Sequence, residues 1–119
     1  MQTNNGTQSI LPETEDKLQS TCFQWHWNNF PDQRGLLFHV QQKARNKIEG
    51  NRFKAMGVVS GVSDMIYLKP GGQPVLIEFK TETGTQSPTQ KEWQSKVEAA
   101  GYEYIICRSF SHFQQIFLT

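Results

Sequence analysis

Apolar residues in this chain recur in two rhythms, and the switches between them outline its elements. Leu18, Cys22 and Trp25 fall at helical spacing, with Phe23, Trp27 and Phe30 widening the stripe, so a helix is predicted from Glu13 or Thr14 to about Asn28. Phe30-Pro31 closes it, because a residue before proline avoids the α region. Leu36-Leu37-Phe38-His39-Val40 reads as a short strand. From Gly61 to Lys80 two runs rich in Ile, Val, Leu, Phe and Tyr flank Pro70-Gly71-Gly72-Gln73-Pro74, which predicts a β-hairpin whose glycine pair supplies positive φ angles. Ser87-Pro88-Thr89-Gln90 then opens a helix with Ser as N-cap and Pro at the first position; Trp93, Val97 and Ala100 form its buried stripe and Gly101 ends it. Tyr102 to Cys107 is a strand apolar enough toward its end to be central in a sheet, and Ser109 caps a last helix that turns Phe113, Ile116 and Phe117 inward. The strand, helix, strand order from Val75 to Tyr102 calls for a parallel crossover, so the fold class is α/β, a mixed sheet flanked by helices.

Between these elements the pattern breaks down. Residues 1–10 are polar, with nothing to bury, and read as a disordered tail before a single domain over 11–119. Gln41 to Lys54 carries Lys43, Arg45, Lys47, Arg52 and Lys54 against one acid, Glu49. Gly50 predicts a flexible or broken helix there, with a short helix from Arg52 to Met56 ended by Gly57. Thr81 to Gln86 is a polar loop.

Composition narrows the function. At 119 residues there is room for one domain and no second catalytic module. Aromatic residues at 12% within a hydrophobic fraction of 36% imply an aromatic-heavy core. A formal net charge of +1 gives no global attraction to nucleic acid, so any basic surface is local, and the 41–54 segment is where it falls. Cys22 and Cys107 sit in apolar segments and read as buried thiols of a reducing compartment; two cysteines are too few for a cysteine metal site. The absence of an apolar signal core or a membrane-length run leads to an expected cytosolic location with no membrane partner. There is no GxGxxG, no P-loop and no Ser-His-Asp spacing, and hence no expected nucleotide cofactor.

The hairpin carries the candidate chemistry. Strand alternation puts Leu76, Glu78 and Lys80 on one face and Val75, Ile77 and Phe79 on the other, while Asp64 shares a face with Ile66 and Leu68. A register that brings Asp64 near Glu78, with Lys80 alongside, groups two carboxylates and an ammonium. Mg²⁺ takes one or two carboxylates and completes its shell with waters and phosphate oxygens, so this grouping suits it. A solvated strand face is the competing explanation.

Ser63-Asp64, a turn, then Ile77-Glu78-Phe79-Lys80 resembles the PD-(D/E)xK nuclease signature. The flanking residues are similar to one branch, the virus-type replication-repair nuclease (VRR-NUC) domain. They run Leu36-x-Phe38-His39-Val40, Lys54-Ala55-Met56-Gly57-Val58-x-x-Gly61-x-x-Asp64, Ile77-Glu78-Phe79-Lys80, Gln90-x-x-Trp93 and Gly101-Tyr102. Ser63 stands where the family usually has Pro, a change of local stiffness rather than chemistry. Gln41-Gln42 replaces the usual Pro-Asn, which puts a role for that loop in doubt.

The resemblance implies a restriction-endonuclease-like core and a Mg²⁺- or Mn²⁺-dependent endodeoxyribonuclease. It implies metal ligands at Glu15 (preferred over Glu13), Asp64, Glu78 and the Phe79 main-chain carbonyl, with Lys80 and Gln90 orienting the attacking water. For Gln90 a capping-box role competes, and for His39 an ordinary edge histidine competes with a phosphate contact. Lys43, Arg45, Lys47, Arg52 and Lys54 would track the DNA backbone. Small stand-alone members resemble Holliday-junction resolvases acting as homodimers on branched DNA, from phage or the cytoplasm of a bacterial host. The alternatives are a monomeric flap or fork nuclease and a catalytically silent nucleic-acid-binding module of the same fold; a restriction-type enzyme would need recognition elements that this length does not hold.

Overall fold

The hairpin organises the molecule. The computed structural model describes residues 14–40 and 43–118, so the expected tail, Glu13 and Gln41-Gln42 lie outside the described residues. In chain order come α1 (Glu15–Asn29), a short 3₁₀ turn (Pro31–Gln33), β1 (Leu37–His39), α2 (Lys47–Ala55), β2 (Met65–Lys69), β3 (Gln73–Phe79), α3 (Pro88–Ala99), β4 (Glu103–Cys107) and α4 (Phe110–Phe117). The four strands form one sheet in the order β1-β2-β3-β4. β1, β2 and β3 are antiparallel neighbours, whereas β3 and β4 run parallel, joined by α3 as the crossover.

The hairpin turn works as its glycines require. Gly71 and Gly72 both have positive φ, at 105° and 98°, and the Gly72 amide returns to the Lys69 carbonyl at 3.0 Å. Pro74 lies just before Val75, the first β3 residue paired with β4, so its missing N–H costs the parallel ladder nothing.

One sheet face is a conventional core. Leu37, Met65, Tyr67, Val75, Ile77, Phe79 and Cys107 pack against Leu18 and Cys22 of α1 and Phe113 of α4. The Leu, Met, Val, Ile and Phe side chains among these each contribute about 1.5–3 kcal/mol through burial. Trp25, half-buried, meets Phe30, Phe110 and Phe113 edge-on at 5.5–6.1 Å, as the aromatic content foretold. The two thiols are both buried and hydrogen-bonded to each other.

Several sequence expectations are corrected. The α1 stripe holds Leu18 and Cys22 with Trp25 packed half-buried against the core, and adds a fully buried His26 that the apolar pattern did not include. His26 is 1% exposed because its ring stacks on Phe30 at 5.2 Å and its Nε2 bonds Gln33 Oε1 at 2.9 Å. β4 is an edge strand, not a central one; its apolar run reflects cover by α3 on one side and α4 on the other. No α3 residue is fully buried, and Ala100 is exposed, since a helix over a sheet edge has only one line covered.

The charged segment also departs from expectation. α2 is one helix from Lys47, continuous through Gly50. Asn46 caps it by accepting from the Glu49 amide at 2.8 Å, and Glu49 is itself held by the Arg45 amide and guanidinium. Ile48 is 82% and Met56 69% exposed, so this helix is maintained by its ends more than by packing. Among the described residues no helix is long and apolar enough to cross a membrane.

Candidate active site

Chemistry gathers on the opposite face of β3. Residues Val75 to Lys80 are all buried, so Leu76, Glu78 and Lys80 do not form a solvated face. The observed register pairs Met65 with Ile77, and one further step sets Asp64 opposite Glu78, the pairing that the hairpin reading allowed without fixing. The ladder stops there and a side chain takes over: the Phe79 amide donates to Asp64 Oδ2 at 2.6 Å. The Phe79 main chain thus enters the site through its N–H.

The approach to Asp64 is shaped by Gly61 and Ser63. Gly61 has φ of 82°, and a Cβ there would lie 2.3 Å from the Thr89 carbonyl oxygen, so only glycine lets this loop dock on the first turn of α3. Ser63 is fully buried and its hydroxyl donates to the Met65 carbonyl at 3.2 Å, a local bond that stiffens a position where proline was the expected family residue.

Glu78 is fully buried. Its Oε1 accepts from the Tyr104 hydroxyl, and Gln86 Nε2 stands 3.5 Å away. Its Oε2 has no hydrogen-bond partner among the described residues. The Lys80 ammonium, 9% exposed, lies 4.0 Å from Glu78 Oε2 and 4.0 Å from Glu15 Oε2, between strand and helix carboxylates. Glu15 arrives because Thr14 caps α1, accepting from the Lys17 amide at 3.0 Å, and leaves Glu15 at the helix start. Burial pushes the Asp64 carboxyl up from its ordinary value; the Phe79 amide opposes that, the Glu78 and Glu15 carboxylates add to it, and Lys80 offsets a little.

These donors are hard oxygens, and a buried carboxylate oxygen without a partner is costly unless a cation or donor meets it. Among the described residues no three His, Cys, Asp or Glu side chains form a ready ligand cluster. Two carboxylates facing one another still meet the need of Mg²⁺, which relies on waters and substrate oxygens for the rest. The residues therefore fit a divalent cation at Glu78 and Asp64, with Glu15 farther out.

The other expected residues are distributed around this point. Gln90 is engaged as a cap: its Oε1 accepts from the Ser87 amide at 2.8 Å, while Ser87 Oγ accepts from the Gln90 amide at 3.3 Å. The capping reading is thus realised through the amide oxygen, at the turn against which Gly61 packs. His39, exposed at the end of β1, shares a hydrogen bond of 2.9 Å with Gln19 of α1 and pairs with Met65, the residue after Asp64. Lys47 and Lys54 line a groove of about 600 Å³ between α2 and the loop to Val62. Arg45 and Arg52 instead face Glu49, at 2.8 and 3.8 Å, and Lys43 is exposed.

Three contributors escaped the sequence reading. Tyr104 and Gln86 bind Glu78, and Arg108 Nη1 pins the loop after Lys80 by donating to the carbonyls of Thr81 at 2.8 Å and Gly84 at 2.7 Å. A signal for Tyr104 existed: given parallel pairing, alternation along β4 puts Tyr104 and Ile106 on the Glu78 face.

This combination of mixed sheet, crossover helix and carboxylate–lysine face is that of a nuclease-type α/β domain. The chain belongs to the VRR-NUC domain family, which it matches over residues 3–111. A solved structure described as a VRR-NUC domain protein is 22% identical with a TM-score of 0.73, over 91% of this chain and 88% of its own. Another, described as a VRR-NUC domain, is 17% identical with a TM-score of 0.58, over 88% of this chain and 96% of its own. At these identities the likeness is one of fold. No curated protein matches the chain.

Proposed function

We propose that this protein is a Mg²⁺- or Mn²⁺-dependent endonuclease that hydrolyses phosphodiester bonds in branched DNA, acting as a homodimer on four-way junctions. The observation that carries the catalytic part is the fully buried Oε2 of Glu78, which accepts no hydrogen bond among the described residues, with Asp64 opposite and the Lys80 ammonium 4.0 Å away. When bound, the divalent cation supplies charge neutralisation at the phosphate and eases ionisation of a water.

The chain's own residues do the remainder. Asp64, just before β2, and Glu78 of β3 present carboxylate oxygens at a spacing held by the β2–β3 pairing. Lys80, enclosed between two carboxylates, holds its proton donors toward the reacting phosphate, where they stabilise charge that grows as a water attacks phosphorus and the P–O bond to the leaving oxygen breaks. Glu15 keeps Lys80 from folding away along the sheet. Lys47 and Lys54 in the groove beside the Val40–Val62 junction hold the DNA backbone close to Asp64. No residue of this scheme reads a base, so selection rests on DNA shape. The junction substrate and the homodimer come from the likeness to small stand-alone members of the family.

The test is to incubate the protein with labelled four-way junction, flap, duplex and single-stranded DNA in Mg²⁺, Mn²⁺ or EDTA, beside Glu78→Ala, with sedimentation equilibrium for the assembly state. Symmetric, cation-dependent junction cutting by a dimer is expected. Cutting of flaps or forks by a monomer would replace the resolvase reading, and binding without cleavage would leave a silent module.

A further inference from the structure

We infer that Tyr104 and Gln86 are positioning residues for Glu78, occupying its Oε1 so that Oε2 is the oxygen presented to the cation and phosphate. The inference rests on the nuclease reading of Glu78 and extends it to two residues outside the signature motif.

The geometry is asymmetric. Among the described residues both hydrogen-bond donors that reach Glu78, the Tyr104 hydroxyl and the Gln86 amide, converge on Oε1, and neither touches Oε2. A carboxylate left to itself rotates freely about its last bond; one oxygen tied to a rigid donor fixes where the other points. Tyr104 is rigid. Its ring is 9% exposed, lies edge-on to Trp93 at 6.0 Å, and rides on a strand whose parallel register pairs Leu76 with Tyr104 and Glu78 with Ile106. The hydroxyl thus approaches Glu78 diagonally from the neighbouring strand on the same face.

Gln86 is delivered by a loop clamped at both ends. Arg108 holds the Thr81 and Gly84 carbonyls, and Gln86 Nε2 also donates to Gln94 Oε1 of α3 at 2.9 Å. The loop itself passes close to Glu15: a Cβ on Gly84 would lie 3.6 Å from Glu15 Oε2. The segment that supplies Gln86 therefore borders the site on both sides of Lys80. A tyrosine buried merely for bulk would find any acceptor for its hydroxyl. Here it donates to the one carboxylate whose orientation sets the site.

The test uses Tyr104→Phe and Gln86→Ala in the full chain, with three readouts. Isothermal titration with Mn²⁺ alone is expected to show affinity about 10–100-fold weaker for Tyr104→Phe, the usual effect of removing a group that orients a ligand. Junction cleavage is expected to lose kcat by a similar factor with KM for DNA unchanged, and thermal denaturation in EDTA to show both variants folded. Gln86→Ala, on the loop and clear of the core, should move in the same direction by a smaller factor. Mn²⁺ affinity and kcat both equal to wild type in Tyr104→Phe would overturn the positioning role while leaving the nuclease reading intact. A wild-type protein that neither binds Mn²⁺ nor cleaves would overturn that reading, and the positioning role with it.

Discussion

The Phe79 amide donates to Asp64 Oδ2 at 2.6 Å, so the N–H of the last β3 residue is bonded by the side chain that immediately precedes β2. This bond orients Asp64 while burial raises its pKa above the ordinary 3.8. A carboxyl whose folded pKa is raised favours the fold in its protonated state. That contribution is complete below the unfolded value and lost as pH rises through the folded one. Asp64→Asn keeps an acceptor for Phe79 and removes the charge. In EDTA it is expected to match or exceed wild-type stability at pH 7 and to flatten the decline above pH 3.8, in thermal denaturation across pH, while losing cleavage entirely.

Lys80 balances a buried carboxylate in addition to the catalytic role proposed for it. Lys80→Met is expected to lower cleavage by at least about 100-fold with DNA binding retained. It should also cost about 1–3 kcal/mol of stability, because Glu78 loses its neighbouring charge. Adding Glu78→Gln should restore that stability without restoring activity, which denaturant titration of the double variant measures.

Gly61 is a steric requirement at the loop that delivers Asp64. Gly61→Ala puts a Cβ 2.3 Å from the Thr89 carbonyl at a positive φ, so a loss of more than about 2 kcal/mol is expected, together with displacement of Asp64. Urea denaturation and single-turnover cleavage report the two effects; a loss of cleavage with wild-type stability would show that the loop yields without strain.

The basic segment separates into two kinds of residue. Lys47 and Lys54 line the groove, whereas Arg45 is ion-paired to Glu49 at 2.8 Å. Lys47→Ala with Lys54→Ala is expected to reduce the slope of log affinity against log salt by about 2. Arg45→Ala should instead reduce α2 content by circular dichroism, with a smaller change in that slope.

Pattern alone carried most of the fold. The glycine pair and alternating runs defined the hairpin, Ser87-Pro88 defined the start of α3, and strand–helix–strand order defined the parallel pairing. Each rests on local rules that a short stretch expresses completely. The same locality explains the errors. Gly50 reads as a helix breaker until Asn46 and Arg45 are seen holding that helix from outside, and β4 reads as central because covering helices and flanking strands bury a residue equally well.

Sequence by itself determined which groups could act: strand alternation puts Glu78 and Lys80 on one face of β3, and the ordered motif adds Asp64 and gives the family, while the register that sets Asp64 opposite Glu78 came from the sheet. Tertiary structure alone decided what surrounds them. The burial of Glu78, the approach of Tyr104 from a strand 26 residues away, the arrival of Glu15 beside Lys80 and the capture of the Gln90 amide oxygen by its own helix cap are contacts between distant segments. Side-chain alternation is a property of one strand, whereas the environment of a carboxylate is a property of everything packed against it.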